Sequence, residues 1–252
     1  MIERQPELPP FFSLHAVESA GSTNEELQRL ARTGAPEGTL LWALEQTAGR
    51  GRRGRRWVSP RGNLYLSVLL RPRVPPAAAA QIGFVAAVAL AETLATLLPP
   101  ERRIRCKWPN DLLVDGAKVS GILPEAEAAG GVAEAVVLGI GVNVASFPAE
   151  VPYPATSLAA AGATAGVAEV LERLAARLAP WYARWRGEGF VPVRERWLDV
   201  AAGLGEAIEV RLEHEVLKGR FETLDAGGAL ALLLPGGARR LVAAGDVFLP
   251  AA

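Results

Sequence analysis

Five of the seven residues from position 50 to position 56 are arginines, and glycines at positions 49, 51 and 54 are interspersed with them. Two like charges about 6 Å apart repel each other by roughly 0.7 kcal/mol in water, so we expect this segment to order poorly alone. Guanidinium groups and exposed backbone N–H groups bind phosphate and carboxylate, and glycine lets the backbone approach such a ligand closely. The segment therefore predicts an anion-binding loop, named here the arginine loop (residues 49–57), that becomes ordered when its anion binds.

Two apolar segments flank the arginine loop. The segment before it, residues 38–46, contains the apolar run Leu40 to Leu44. The segment after it, Asn63 to Arg71, becomes continuously apolar, as a central strand does. A solvated basic loop is the commoner explanation of a charge run. Because this run connects two predicted core strands, a ligand site is favoured over that explanation.

Composition limits the class of protein. Half of the 252 residues are hydrophobic and 21% are charged, which is typical of a globular chain. The formal net charge is zero, whereas proteins that bind nucleic acid through a broad basic face carry a strong positive excess. Positive charge is concentrated locally instead, which favours a small anionic ligand.

The cysteine count, the N-terminal residues and the longest apolar run indicate where in the cell the protein is found. The single cysteine, Cys106, excludes an intramolecular disulfide framework and is typical of a reducing environment. Residues 1–10 combine charged residues with prolines, unlike a signal peptide. The run 77–98 is alanine-rich and contains Gln81 and Glu92, so it predicts a buried or half-buried helix rather than a membrane span. We expect a cytoplasmic protein that does not enter a membrane.

The remaining pattern predicts an α/β (α+β) protein. Strand-like runs on both sides of Asp115-Gly116 have the signature of a hairpin, and residues 165–186 and 190–200 have helical spacing. From Gly203 onward, short alternating strands indicate a small β-barrel. We therefore predict two domains, over residues 1–202 and 203–252.

A second group of polar residues surrounds the start of a predicted helix. Ser22 with Glu25 three positions later matches a capping box, and Gly34 is a suitable stop. The local sequence is equally compatible with Ser22 and Thr23 only capping the helix and with their facing a ligand. Gln46, at the end of a predicted strand, is likewise either a polar strand end or a partner for a ligand amide.

Lysine is rare in this arginine-rich chain. Lys107 and Lys118 lie eleven positions apart, and Lys218 is the third and last. Because arginine is used almost everywhere else, a lysine here suggests a role that a guanidinium cannot fill. A further motif, Gly139-x-Gly141, indicates either close strand packing or the wall of a ligand site.

Taken together and in order, these motifs resemble those of biotin protein ligases. The motifs are Ser22-Thr23-Asn24, the arginine loop with the following Ser59-Pro60 and Asn63 to Ser67, Lys107-Trp108-Pro109-Asn110-Asp111, Lys118-x-x-Gly121-Ile122-Leu123, and Gly139-x-Gly141-x-Asn143. The resemblance runs from about Val17 into the C-terminal strands. It implies a catalytic domain of the biotin/lipoate ligase type, with a mixed sheet flanked by helices, and an SH3-like β-barrel at the C-terminus.

The resemblance also implies a two-step reaction. Biotin and MgATP give biotinyl-5′-AMP and pyrophosphate, and the biotinyl group then passes to a lysine of a biotin carboxyl carrier protein. The residues implied to bind biotin are Ser22, Thr23, Asn24, Gln46, Gly49, Arg50, Gly51, Arg52, Lys118, Gly121 and Gly141. Those implied to bind the nucleotide are Arg52, Arg53, Trp57, Lys107, Asn110, Asp111, Lys118 and Asn143. Lys118 and Arg52 are the implied catalytic residues, and ligands for Mg²⁺ stay unassigned.

The sequence departs from the family pattern at both ends. About a dozen residues precede Phe12-Ser13, too few for the N-terminal helix-turn-helix of members that also repress transcription, so no DNA binding is expected. The final residues, Leu249 to Ala252, lack the basic C-terminal contact to nucleotide of some members.

Three alternatives remain open or disfavoured. A lipoate or octanoate ligase or transferase shares the fold, and only the resemblance separates biotin from lipoate. An RNA-binding regulator is disfavoured by the zero net charge and by the lack of aromatic residues among the basic ones. A biotin-accepting carrier is disfavoured because no lysine is flanked by methionine. Monomer and homodimer are both compatible with the sequence.

Overall fold

The computed structural model describes residues 5–249, and a seven-stranded mixed sheet forms its larger part. Its strands in chain order are β1 (Ser13–Ala20), β2 (Thr39–Gln46), β3 (Leu64–Leu70), β4 (Ile104–Lys107), β5 (Asp111–Val114), β6 (Ala117–Ala129) and β7 (Val132–Val142). Their spatial order is β1-β2-β3-β7-β6-β5-β4. β1 and β2 are parallel, and the other neighbouring pairs are antiparallel. This confirms the predicted mixed sheet.

Helices cover both faces of this sheet. They are α1 (Thr23–Arg32), α2 (Pro76–Ala79), α3 (Ile82–Ala95), α4 (Val167–Glu188) and α5 (Val191–Asp199). Successive side chains of a strand point to opposite faces, so within β3 Leu69 packs in a cluster with Leu27 of α1. Its neighbours Val68 and Leu70 pack in the larger core, which also contains Leu90 of α3. Burial on both faces explains why β3 is continuously apolar.

Several local predictions are confirmed. The Asp115-Gly116 turn joins β5 to β6 with positive φ at both residues, 50° and 84°, as a two-residue hairpin turn requires. Helix α1 ends in a Schellman arrangement: Gly34 has φ 93°, and the N–H of Ala35 donates to Leu30 O at 3.0 Å.

The structure differs from the sequence prediction at three places. The capping box does not form, because the Ser22 side chain makes no capping hydrogen bond and Glu25 faces Arg50 instead. The predicted helix over 77–98 is divided into α2 and α3. β1 was not predicted, since it is an edge strand whose exposed and half-buried residues alternate irregularly.

The most apolar helical run lies inside the fold. Residues Pro76–Ala95 are long and apolar enough to cross a membrane by length and composition alone, but 78% of that window is buried. This agrees with the predicted buried helix.

A second sheet follows α5. Its strands are β8 (Ala207–Arg211), β9 (Val216–Leu224), β10 (Leu230–Leu233), β11 (Arg239–Val242) and β12 (Asp246–Phe248), in the antiparallel order β11-β10-β9-β8-β12. This arrangement is consistent with the predicted SH3-like domain. It packs on the first unit through Trp197 and Phe221, whose ring centroids are 6.4 Å apart. The predicted division at 202/203 falls between α5 and β8; the outermost residues of both predicted domains, 1–4 and 250–252, lie outside the described residues.

Candidate active site

The arginine loop leaves the end of β2 and returns to the start of β3. Inside the loop, the Gly51 N–H donates to Arg55 O at 2.7 Å and the Trp57 N–H donates to Gly49 O at 2.9 Å. Arg53 takes the left-handed conformation with φ 55°. The loop is therefore a closed turn with backbone hydrogen bonds of its own.

Carboxylates on three other elements contact the arginines of this turn. Arg50 lies 3.2 Å from Glu25 of α1 and 3.1 Å from Glu125 of β6. Arg53 and Arg55 both pair with Asp246 of β12. These carboxylates offset the repulsion among the guanidinium groups, and the ordering of the arginine loop by its anion stays a prediction.

A chain of polar groups joins the start of α1 to the ends of the loop. Gln46 Oε1 accepts hydrogen bonds from the Thr23 N–H at 2.8 Å and from the Thr23 hydroxyl at 3.1 Å. Gln46 Nε2 donates to Ser59 Oγ at 3.0 Å. The predicted ligand groups Thr23 and Gln46 are thus brought together, and each fixes the orientation of the other.

Asn24 extends this chain across the sheet. Its Nδ2 donates to Leu123 O at 3.1 Å and to Glu125 at 2.7 Å, and its Oδ1 lies 2.6 Å from Ser67 Oγ. Ser67 Oγ is also 2.8 Å from Thr23 Oγ1. A Cβ on Gly139 would overlap Asn24, since it would lie 2.9 Å from Asn24 Cγ and closer still to Oδ1. Gly139 therefore provides the space in which the buried Asn24 side chain lies.

A strip of the sheet without side chains, named here the glycine strip (Gly121 and Gly141), lies beside this network. Gly121 of β6 and Gly141 of β7 are register partners, and the Trp57 indole lies across both. A Cβ on Gly141 would be 2.6 Å from Trp57 Nε1, and one on Gly121 would be 3.2 Å from Trp57 Cζ3. Trp57 Nε1 is buried without a hydrogen-bond partner in the described structure. Flat apolar groups can approach the sheet closely at this position.

Lys118 lies at the edge of the glycine strip. Its ammonium is 2.6 Å from Asp111 Oδ1, and both side chains are mostly buried, with 17% and 18% exposed. The contact is an ion pair but is not aligned as a hydrogen bond. The rings of Trp57 and Tyr153 lie 5.4 and 5.3 Å from the ammonium, within the range of cation–π attraction. The site thus contains one shielded, oriented positive charge.

Other predicted nucleotide residues lie next to this pair. Arg52 Nη1 donates to Asn110 Oδ1 and to Gly245 O, each at 3.3 Å. Burial lowers the pKa of the Arg52 guanidinium and that of the Lys107 ammonium below their usual ranges. Asn143 is buried and donates from Nδ2 to Thr156 O at 3.0 Å.

A cleft opens in the same region. It is lined by Arg56, Trp57, Val58, Lys118, Asn143, Pro148, Val151, Tyr153 and Ala155. Among the predicted residues, Trp57, Lys118 and Asn143 meet in this cleft. Arg53 does not line it and pairs with the second sheet instead. Ser22 is buried at the start of α1.

Sequence reasoning assigned no role to four polar residues of this region, although Ser59 and Ser67 lie within the family motifs. Ser67, Ser59, Glu125 and Asp246 contact predicted site residues through the bonds described above. For Ser67 the sequence does carry a signal, because it is the one polar residue inside the apolar run of β3. For Glu125 and Asp246 the sequence carries no such signal, because nothing in the neighbouring residues distinguishes them from other acidic residues.

The geometry thus brings the polar network at the start of α1, the arginine loop and the shielded Lys118 ammonium into one region. Comparison with known proteins identifies the family. Residues 17–143 match the Biotin/lipoate A/B protein ligase family, and residues 203–249 match the Biotin protein ligase C terminal domain. The chain belongs to the biotin/lipoate A/B protein ligase family.

Individual relatives resemble nearly the whole chain. It is 44% identical to the biotin–[acetyl-CoA-carboxylase] ligase of Paracoccus denitrificans over 90% of this chain and 96% of the relative. It is 35% identical to the bifunctional ligase/repressor BirA of Bacillus subtilis over 88% of this chain and 70% of that protein. Among solved structures, the biotin protein ligase of Aquifex aeolicus in complex with biotin and ATP is similar, with a TM-score of 0.80 and 29% identity over 95% of this chain and 99% of that one.

Proposed function

We propose that this protein is a biotin protein ligase, which activates biotin with ATP and transfers it to a lysine of a carrier protein. The observation that carries the proposal is the shielded Lys118 ammonium at the edge of the glycine strip, next to the arginine loop. The similarity to the Paracoccus ligase and to the Aquifex structure with biotin and ATP supports the choice of substrates.

The first step joins two anions. An oxygen of the biotin carboxylate attacks the α-phosphorus of ATP, the bond to the β-phosphate breaks, and pyrophosphate leaves. Positive charge must be placed where the new bond forms, and a buried charge acts most strongly there. The compact ammonium of Lys118 fits between a carboxylate and a phosphate oxygen, for which the planar guanidinium is too wide. ATP brings Mg²⁺ with it, and the protein ligands of that ion stay unassigned, because Asn110 Oδ1 accepts a hydrogen bond from Arg52 and Asp111 Oδ1 faces the Lys118 ammonium.

The second step is acyl transfer. The uncharged amine of the carrier lysine attacks the biotinyl carbon, AMP leaves, and the amine proton passes to solvent. A mixed anhydride hydrolyses readily, so it must be kept from water until the carrier arrives. The arginine loop and Trp57, which cover the glycine strip, serve this purpose.

The polar network at the start of α1 is suited to the ureido ring of biotin. Thr23 and Gln46 hold each other in place by hydrogen bonds, and the Ser67 hydroxyl contacts both Thr23 and Asn24. A site whose polar groups are already oriented loses little entropy on binding. The apolar side chains that line the cleft, Trp57, Val58 and Val151, are suited to the apolar part of the ligand.

Substrate choice is tested by ATP–pyrophosphate exchange with the purified protein and magnesium. We expect exchange that requires biotin and is not supported by lipoate or octanoate. Exchange with lipoate or octanoate alone would show that the protein is a lipoate-type ligase of the same fold. A folded sample that exchanges with none of the three acids would contradict the proposal.

Arg52→Gly is expected to release biotinyl-5′-AMP into solution. Arg52 fixes the arginine loop by bonds to Asn110 and Gly245, so removing its side chain loosens the cover of the adenylate. The measurement is the fraction of labelled adenylate that stays with the protein after rapid gel filtration. We expect the retained fraction to fall about tenfold, as the loss of one hydrogen bond to a charged group would cause, and a fraction equal to that of the parent would contradict the covering role. Arg73→Gly is the control, because it removes an exposed arginine paired with Glu134 at a position whose positive φ of 53° glycine adopts readily.

The partners and compartment follow from the same proposal. We propose the biotin carboxyl carrier protein of acetyl-CoA carboxylase as acceptor, in line with the name of the Paracoccus relative. We propose a cytoplasmic enzyme that acts without DNA, supported by the single cysteine and the zero net charge. Both a monomer and a homodimer are compatible with this activity.

A further inference from the structure

Asp246 is the first residue of β12 in the small second sheet, yet its carboxylate contacts the arginine loop. It pairs with Arg55, and it lies 3.6 Å from Arg53 Nη1. The preceding residue, Gly245, accepts the hydrogen bond from Arg52 at 3.3 Å. Three arginines of one turn are therefore held by two consecutive residues that lie about 190 positions further along the chain.

Among the described residues, Asp246 is the only carboxylate that forms ion pairs with Arg53 and Arg55. Arg50, at the other end of the turn, is held by Glu25 and Glu125, which lie on α1 and β6. A single exposed ion pair contributes little, because solvent screens it and long side chains lose entropy. Asp246 is 73% shielded from solvent (27% of its side chain is exposed) and serves two guanidinium groups at once, so its removal frees both.

We propose that Asp246 is a positioning residue, by which the second domain holds the arginine loop over the nucleotide site. The role rests on the proposed ligase function, because the loop is taken to cover the adenylate. Asp246 does not line the cleft that contains Trp57, Lys118 and Asn143. It acts by fixing Arg53 and Arg55, and through them the direction of Arg52.

A purely electrostatic role predicts the opposite result. A carboxylate near the site of a triphosphate repels it, so if Asp246 only contributed negative charge, Asp246→Asn would lower the KM for ATP. If Asp246 holds the loop in place, the same change raises the KM for ATP and speeds the loss of adenylate. The sign of the change in the KM for ATP therefore distinguishes a purely electrostatic role of Asp246 from a role in holding the loop.

The first test needs no ligand. Trypsin cleaves after arginine, and a docked turn resists it because cleavage requires local opening. We expect Asp246→Asn to be cleaved at residues 50–56 about fivefold to tenfold faster than the parent, a range set by the loss of two partly shielded ion pairs. Cleavage at Arg102 and Arg103, between α3 and β4, serves as the internal standard. An unchanged rate in the arginine loop would overturn the proposal.

The second test uses the reaction. We expect Asp246→Asn to raise the KM for ATP in pyrophosphate exchange about fivefold and to shorten adenylate retention by a similar factor. Asp246→Glu should recover most of both, because it restores the carboxylate. Glu222→Gln removes a carboxylate of the same sheet that pairs with Arg239 at 2.7 Å, and it should leave both values unchanged. A KM that falls or stays constant in Asp246→Asn would overturn the proposal.

A double-mutant cycle assigns the effect to the loop. In an Arg53→Ala/Arg55→Ala background the partners of Asp246 are already absent, so Asp246→Asn should have no additional effect on cleavage or on KM. Additive effects would contradict a role through these arginines. If the parent shows no biotin-dependent exchange, the ligase function fails, while the cleavage rates still decide whether Asp246 holds the loop.

Discussion

Replacing Lys118 by alanine is expected to slow biotinyl-5′-AMP formation by roughly a factor of 10³, a magnitude typical of losing one oriented charge at a developing negative centre. The ammonium is 83% shielded (17% of the side chain is exposed), it lies 2.6 Å from Asp111, and two aromatic rings flank it. Water that replaced it would have to reorganise as the bond forms, whereas the ammonium is already in position. The measurement is single-turnover adenylate formation from labelled biotin at saturating ATP.

Two further variants test whether the loss of rate is specific to the Lys118 ammonium. Lys218→Ala removes an exposed lysine of the second domain, which is 76% exposed and 3.8 Å from Glu209, and it should adenylate biotin at the parental rate. Lys118→Arg keeps the charge but is expected to remain slow, because a planar guanidinium does not fit between the two reacting oxygens. Near-normal adenylation by a folded Lys118→Ala protein would remove Lys118 from the catalytic step.

Gly139→Ala is expected to weaken biotin binding by roughly a hundredfold and to lower the free energy of unfolding by about 2 kcal/mol. The added Cβ would overlap the Asn24 side chain, which is buried and bonded to Leu123, Glu125 and Ser67. Moving Asn24 leaves buried polar groups unpaired and disturbs Thr23, which shares the contact to Ser67. Isothermal titration with biotin and urea unfolding measure the two losses.

The matched control is Gly187→Ala. Gly187 lies within α4, where an added Cβ meets nothing within 4 Å, so alanine should be neutral or slightly stabilising. Biotin affinity should not change in this variant. If Gly139→Ala also bound biotin with parental affinity, Asn24 would not belong to the biotin site.

Much of this fold is predictable from local pattern. The buried runs of β2 and β3, the Asp115-Gly116 hairpin and the amphipathic helix α4 each follow from residues within a short window. The edge strand β1 escaped, because an edge strand is covered on one side only and its burial pattern is irregular. The division between α2 and α3 escaped too, since alanine-rich sequence continues through it.

The sequence by itself determined the elements, the arginine loop and the family motifs, because these depend on residue type and spacing. Only the tertiary structure decided how the charges are paired. Arg50 meets Glu125 across 75 positions, and Arg55 meets Asp246 across 191. A carboxylate is equally well solvated at any exposed position of a strand. No local sequence pattern therefore shows which carboxylate will pair with an arginine of the loop. Glu125 is placed by the strand order of the large sheet, and Asp246 by the packing of the second sheet on the first, and these two carboxylates pair with Arg50, Arg53 and Arg55 of the turn.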